Sequence, residues 1–189
     1  MTDKISLTVG QRAVKPLKID LRLLAAIFTY ALLLAGPAAA QSNEWKSLMQ
    51  EAGTLYRQGK YDHAAVVLKK ALAVGERDFG PEHAAVAVSL NNPAEIYRAQ
   101  GQYAAAEPLY KRSLAIREKE LGPEDPNVAN VLNNLALLYK AQGQYAAAEP
   151  LYKRSLAIRE KALGPEHPNV AASLNNLAEF YRAQGQYPA

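Results

Sequence analysis

The chain has 189 residues, of which 49% are hydrophobic, enough for one modest domain or a short array of repeats. It contains no cysteine, which excludes disulfides, thiol catalysis and cysteine-based zinc sites. The formal net charge is +4, yet the first 40 residues supply +3 of it, from five basic and two acidic side chains. The remainder is nearly neutral, which argues against nucleic acid as a partner.

Residues 1–40 have the pattern of a secretory signal peptide. Three basic residues, the last at Arg22, precede an uncharged run over residues 23–40 that ends in a Gly-Pro pair and small residues. Cleavage is predicted after Ala40. An uncleaved signal anchor is the alternative, although a spanning helix needs roughly 20 apolar residues. We expect export to a bacterial periplasm, or an inner-membrane anchor facing it, with membrane contact only if the leader is uncleaved.

A 42-residue repeat follows the leader. The 21 residues of Ala99–Lys119 recur unchanged at Ala141–Lys161. A fixed period of this size is typical of a repeat array. Applying the period along the chain gives four units: 44–85, 86–127, 128–169 and a truncated 170–189. The predicted organisation is therefore a leader over 1–40 and a repeat domain over 41–189.

Each full unit predicts two helices. In the third unit, apolar residues follow the i, i+3, i+4, i+7 spacing of an amphipathic helix from near Val128 to Lys140. Gly143 breaks the pattern, and a second helix is predicted from about Ala146 to Leu163. Asp125-Pro126 supplies an N-cap acceptor followed by proline at the first helical position.

The second unit differs from the others at Pro93, which stands where the next two units have Leu135 and Leu177. Proline in a helix interior removes a hydrogen bond and clashes with the preceding turn, at a cost of about 3 kcal/mol. We therefore expect a kink near residues 89–93 and a weaker second unit.

The third unit resembles a tetratricopeptide repeat. Six residues fall at the spacing of that family: Leu132, Ala136, Tyr139, Gly143, Tyr145 and Ala148. The 42-residue period and the phrases LNNLALLY and AEPLYKRSLAIREK are similar to the kinesin light chain type, and the resemblance covers residues 44–189. It implies an all-α fold, a right-handed α-solenoid of antiparallel helix pairs whose first helices line a concave peptide-binding face.

The same resemblance implies nine groove positions in three rows. The rows are Asn91, Asn133 and Asn175, then Glu95, Leu137 and Glu179, then Arg98, Lys140 and Arg182. An asparagine amide can both donate to and accept from a peptide backbone, and basic side chains can pair with carboxylates. The first unit departs from this pattern, with Met49, Gly53 and Tyr56 at the corresponding positions.

Structural alternatives exist for these residues. Paired asparagines such as Asn133-Asn134 can bond between adjacent helices and hold the stack. The basic row can be solvated charge near helix C-termini. His83 and His167 stand at equivalent helix starts, which favours turn chemistry over a metal site. No nucleophile elbow, phosphate loop or metalloprotease motif is present, so we expect a non-enzymatic protein without a cofactor.

The sequence thus predicts an exported scaffold that binds an extended peptide or a partner protein. Two alternatives stay open: a membrane-tethered or self-associating structural element, and a truncated fragment of a longer repeat protein. The sequence stops where the second helix of the fourth unit would begin, and we expect weak self-association through this end. Positions at which the copies differ, including Val88, Asn130 and Ala172, are the candidates for partner discrimination.

Overall fold

A computed structural model describes residues 38–185, with side chains from residue 43. This part of the chain forms seven α-helices and no strand: α1 Ala38–Arg57, α2 Tyr61–Phe79, α3 Ala84–Ala99, α4 Tyr103–Leu121, α5 Pro126–Ala141, α6 Tyr145–Leu163 and α7 Pro168–Ala183. The predicted leader lies outside the described residues, apart from 38–40 at the start of α1. Within the described part, none of the helices combines the length and hydropathy that crossing a membrane requires.

The helices alternate as first and second members of a repeat. The first helices are α1, α3, α5 and α7, and the second helices are α2, α4 and α6. Each helix packs against the next along the chain, and the first helices α3 and α5 also contact each other. The two helices predicted for the third unit are confirmed as α5 and α6. The described residues therefore form an all-helical, solenoid-like repeat array.

Local sequence signals set the helix starts. The Asp125 carboxylate accepts a hydrogen bond from the backbone N–H of Asn127 at 2.7 Å, and Pro126 is the first residue of α5, as the sequence indicated. At α7 the Nδ1 atom of His167 accepts from the Asn169 N–H at 3.1 Å, and His83 caps α3 in the same way. Within the described residues, no group of three or more His, Asp or Glu side chains is placed to hold a metal ion.

The predicted apolar face of α5 forms the centre of the core. Six apolar residues of α5 that follow the predicted spacing are all buried: Val128, Val131, Leu132, Leu135, Ala136 and Tyr139. The second helices contribute Tyr110 and Tyr152, and the ring of Phe180 from α7 packs on Tyr152 with centroids 5.3 Å apart. Large aromatic side chains of α6 and α7 thus meet in the junction between the third and fourth units.

Pro93 lies inside α3, which continues as a helix from Ala84 to Ala99. The proline is buried, and its missing N–H leaves the Ser89 carbonyl without a helical donor. The helix-interior position expected from the sequence is confirmed. The kink and the weaker second unit stay predictions.

Candidate functional site

The nine predicted groove residues all lie on first helices, three on each of α3, α5 and α7. Within each helix they are spaced i, i+4 and i+7, which places them on one face. We call this set of nine positions the first-helix face. What each member can do depends on its neighbours in the adjacent unit.

The asparagines connect successive units. The Nδ2 of Asn134 donates to Oδ1 of Asn91 at 3.3 Å, and the Nδ2 of Asn176 donates to Oδ1 of Asn133 at 2.9 Å. The second asparagine of each pair therefore reaches back to the first asparagine of the preceding unit. These bonds hold the stack and also fix the side-chain orientation of Asn91 and Asn133. Their amide NH₂ groups are the donors left for a ligand.

Exposure differs along the asparagine row. Asn133 is only 7% exposed, Asn91 is half-buried and Asn175 is exposed. The three residues are equivalent in the sequence repeat, but the neighbouring units bury them to different extents. A peptide would thus reach the amide of Asn175 most easily and that of Asn133 least easily.

Two members of the first-helix face pair with each other. The Nζ of Lys140 in α5 lies 3.7 Å from Oε2 of Glu179 in α7, an ion pair between the third and fourth units. Beside it, Asn175, Glu179 and Arg182 border an open cleft of about 320 Å³. The sequence places Lys140 and Glu179 in different rows, so the pairing follows from how one unit is set against the next.

Arg98 is in a different environment from Lys140. Its guanidinium lies close to the buried hydroxyl of Tyr110, partly offsetting the rise of that group's pKa, but it does not reach hydrogen-bond geometry. Burial raises the pKa of Tyr110 to about 12 and also raises the pKa of Tyr152, so both hydroxyls stay protonated at neutral pH. The Arg98 Nε and both hydroxyl oxygens are buried without a hydrogen-bond partner in the described part of the chain.

A second cleft, of about 210 Å³, lies between α1 and α3, and we call it the first-unit cleft. It is lined by Ala52, Gly53, Tyr56, Leu68, Asn92, Glu95 and Ile96. Sequence reasoning missed it, although it lies where the first unit departs from the repeat pattern. The available signal was Gly53, at a position that carries Glu95, Leu137 and Glu179 in the later units.

The family model of the tetratricopeptide repeat matches residues 46–119, 89–161 and 127–189. The chain belongs to the tetratricopeptide repeat family. Members of this family are generally non-enzymatic scaffolds, and tetratricopeptide repeat domains commonly bind proteins or peptides. The predicted family and the two-helix units are therefore confirmed.

Solved structures place the chain among kinesin light chain-like tetratricopeptide repeats. BtubC (BKLC) from P. vanneervenii is 28% identical, with a TM-score of 0.69 over 75% of this chain and 57% of that one. A Podosopora anserina putative kinesin light chain with nearly identical TPR-like repeats is 32% identical, with a TM-score of 0.68 over 75% of this chain and 67% of that one. The chain thus spans little more than half of BtubC.

A more distant structure shares the fold alone. The N-terminal domain of stress-induced protein-1 (STI-1) from C. elegans is 15% identical, with a TM-score of 0.54 over 73% of this chain and 97% of that one. No curated protein matches the chain.

Proposed function

We propose that the chain is an exported, non-enzymatic scaffold that binds an extended peptide or a partner protein on the first-helix face. The observation that carries this proposal is the asparagine row. Bonds from Asn134 and Asn176 orient the Asn91 and Asn133 amides, and the donors that remain recur at the repeat spacing. An extended peptide offers backbone carbonyls at regular intervals and is a fitting acceptor for such a row.

Charge on the face supports a ligand with both signs of charge. Arg98 and Arg182 supply cations and Glu95 supplies an anion, while Lys140 and Glu179 already compensate each other. Beyond residue 40 the chain carries 17 basic and 16 acidic side chains, so no general field favours a polyanion. Selectivity would come from individual positions on the face.

Binding can be tested with random peptides displayed on phage and selected against the full chain. Asn175 and Arg182 are both exposed, so the double variant Asn175→Ala/Arg182→Ala removes face groups without opening the core. We expect it to lower the affinity for an enriched peptide at least about tenfold, equivalent to about 1.4 kcal/mol of binding free energy. Lys69→Ala on the exposed side of α2 is the matched control. Equal affinity for all three proteins would contradict binding on this face.

The export part of the proposal rests on the pattern of residues 1–40. Fractionation of producing cells followed by N-terminal sequencing checks it, and we expect a periplasmic product that begins at Gln41. A full-length product in the membrane fraction would favour the anchor. A full-length product in the cytoplasm would contradict both interpretations of the leader.

Self-association through α7 is a second candidate, and one observation favours it. Leu174 is 47% exposed, whereas the equivalent Leu90 and Leu132 are 1% and 0% exposed because second helices cover them. A second copy packed on α7 would remove this apolar surface from water. Light scattering of the full chain over a concentration series should show a mass increase that Leu174→Glu abolishes. A constant monomer mass would contradict this candidate.

A further inference from the structure

We propose that the first-unit cleft binds a basic side chain, arginine or lysine, of the peptide held on the first-helix face. The inference rests on the proposed function and specifies its ligand. Three features of the first and second units support it: an open cleft at Gly53, the Asn92 amide, and the Glu95 carboxylate, whose partner in the repeat is missing.

The cleft exists because the first unit carries smaller or different residues at the groove positions. Gly53 occupies the position of Glu95 and Glu179 in later units. A Cβ atom built on Gly53 would meet no heavy atom within 4 Å, so the space beside it is open. Ala52, Leu68 and Ile96 give the cleft an apolar floor. Its volume of about 210 Å³ far exceeds the roughly 10–15 Å³ that admits one water molecule.

Asn92 lines this cleft, and among the described residues its amide makes no bond like those of its counterparts. Its counterparts Asn134 and Asn176 donate to an asparagine of the preceding unit. In the first unit the acceptor position of Asn91 and Asn133 is occupied by Met49, whose thioether is only a weak acceptor. The Met49 sulfur lies instead 3.9 Å from the Ser89 hydroxyl. The Asn92 amide therefore borders the cleft without the asparagine partner that Asn134 and Asn176 have.

Glu95 is the anion of the cleft, and the protein itself shows which partner this position takes. Its equivalent Glu179 pairs with Lys140 of the preceding unit. At the position corresponding to Lys140 the first unit has Tyr56. Among the ion pairs of the described residues, none includes Glu95. Arg98, one turn further along α3, lies near the Tyr110 hydroxyl, as Glu95 does, but the two side chains do not form an ion pair.

A basic side chain of the ligand completes this arrangement. Its charged end takes the place of the missing lysine at Glu95, and its aliphatic stem covers the apolar floor. The Tyr56 ring at the rim can stack on a guanidinium, and the Asn92 amide oxygen can accept from it. A neutral or acidic side chain would leave the half-buried carboxylate without a counter-charge, so the cleft selects for a cation.

The test uses the full chain and two tripeptide probes, acetyl-Ala-Arg-Ala-amide and its counterpart with citrulline, which has nearly the shape of arginine but no charge. We expect the arginine probe to shift the NMR signals of Ala52, Gly53 and Ile96. The citrulline probe and Glu95→Gln should each weaken these shifts at least tenfold. Gly53→Leu should abolish them by filling the cleft. Glu160→Gln, an exposed carboxylate on α6 outside the first-helix face, is the matched control and should change nothing.

Three results would overturn the inference: equal binding of both probes, shifts that persist in Gly53→Leu, or no shifts at these residues at all. Circular dichroism of Gly53→Leu checks its fold, and the nearly isosteric Glu95→Gln decides the matter if that fold is lost. The probes are too short to span several units. Their failure therefore leaves the proposed function standing, which the Asn175→Ala/Arg182→Ala variant tests separately.

Discussion

The junction between the third and fourth units differs sharply from the junction between the first and second. In the former, Lys140 pairs with Glu179 and Asn176 donates to Asn133. In the latter the same glutamate and asparagine are present as Glu95 and Asn92, but both partners have been replaced, by Tyr56 and Met49. A junction that satisfies its polar groups internally is structural. A junction that leaves them facing a cleft is the better place to bind a ligand.

The second helices α4 and α6 differ only at Glu120 and Ala162, yet one arginine has different partners in the two copies. In α6, Arg159 is 8% exposed and donates to the Asn169 carbonyl, the Ser173 hydroxyl and the Asn130 side chain. Its copy Arg117 in α4 reaches only the Asn127 carbonyl, at 3.5 Å, and its buried Nε has no partner in the described residues. Identical sequence therefore does not give identical energetics.

The neighbouring first helices cause this difference. The positions of Asn130 and Ser173 carry Val88 and Val131 around Arg117, and valine offers no acceptor. One unit earlier, Gly75 stands in place of the arginine, and the Trp45 indole fills the space and donates to Ser89 at 2.8 Å. Asn130, a sequence candidate for partner discrimination, thus serves the stack in this structure.

The largest effect should come from exchanging proline and leucine between α3 and α5. Pro93→Leu should raise the free energy of unfolding by up to about 3 kcal/mol, because it restores a helical hydrogen bond and removes a clash. Leu135→Pro should lower it by at least as much, since Leu135 is also a buried core residue. Urea unfolding followed by circular dichroism measures both. An unchanged Pro93→Leu protein would mean that the packing around the proline has adapted to it.

The two arginine copies should respond differently to the same substitution. Arg159→Met should lower the free energy of unfolding by about 2 kcal/mol, because hydrogen bonds of a charged group are lost and their acceptors are left buried. Arg117→Met should stay within about 0.5 kcal/mol, since a poorly partnered buried cation contributes little. Chemical denaturation of the pair decides the point. Equal losses would contradict the assignment of different roles.

Exchanging one residue should interconvert the two junctions. Tyr56→Lys supplies the missing cation for Glu95. It should therefore lower the affinity for the arginine tripeptide at least about tenfold, or by about 1.4 kcal/mol of binding free energy. It should add no more than about 1 kcal/mol of stability, as for other exposed ion pairs. Lys140→Tyr should leave Glu179 without its cation and so allow the arginine tripeptide to bind at the junction between the third and fourth units. Peptide titration monitored by NMR gives both answers, and unchanged affinity in Tyr56→Lys would contradict competition for Glu95.

The smallest effect concerns two helical glycines of the first unit. Gly53→Ala should stabilise the chain by about 0.5–1 kcal/mol, because alanine favours the helix and its methyl group meets open space. Gly75→Ala should lack this gain, since its Cβ would lie 3.3 Å from the Trp45 ring. Thermal unfolding of both variants measures the difference. A gain at Gly75 would show that the tryptophan moves freely.

Much of the fold follows from the sequence because it depends on nearby residues. The Asp125-Pro126 start of α5, the bounds of α6 and the buried face of α5 were all predicted from local patterns, and the 42-residue period predicted the family. Which residues belong to the first helices follows from the same register. Side-chain partners in other units were not predictable in this way.

The sequence by itself determined the repeating helix pair, since capping, helix-breaking glycines and apolar spacing act over a few residues. Only the tertiary structure decided that Lys140 meets Glu179, that Asn134 reaches back to Asn91, and that Gly53 and Glu95 border one cleft. These contacts depend on the rise and rotation from one unit to the next. Packing of the whole core sets that geometry, and the length of the repeat does not determine it.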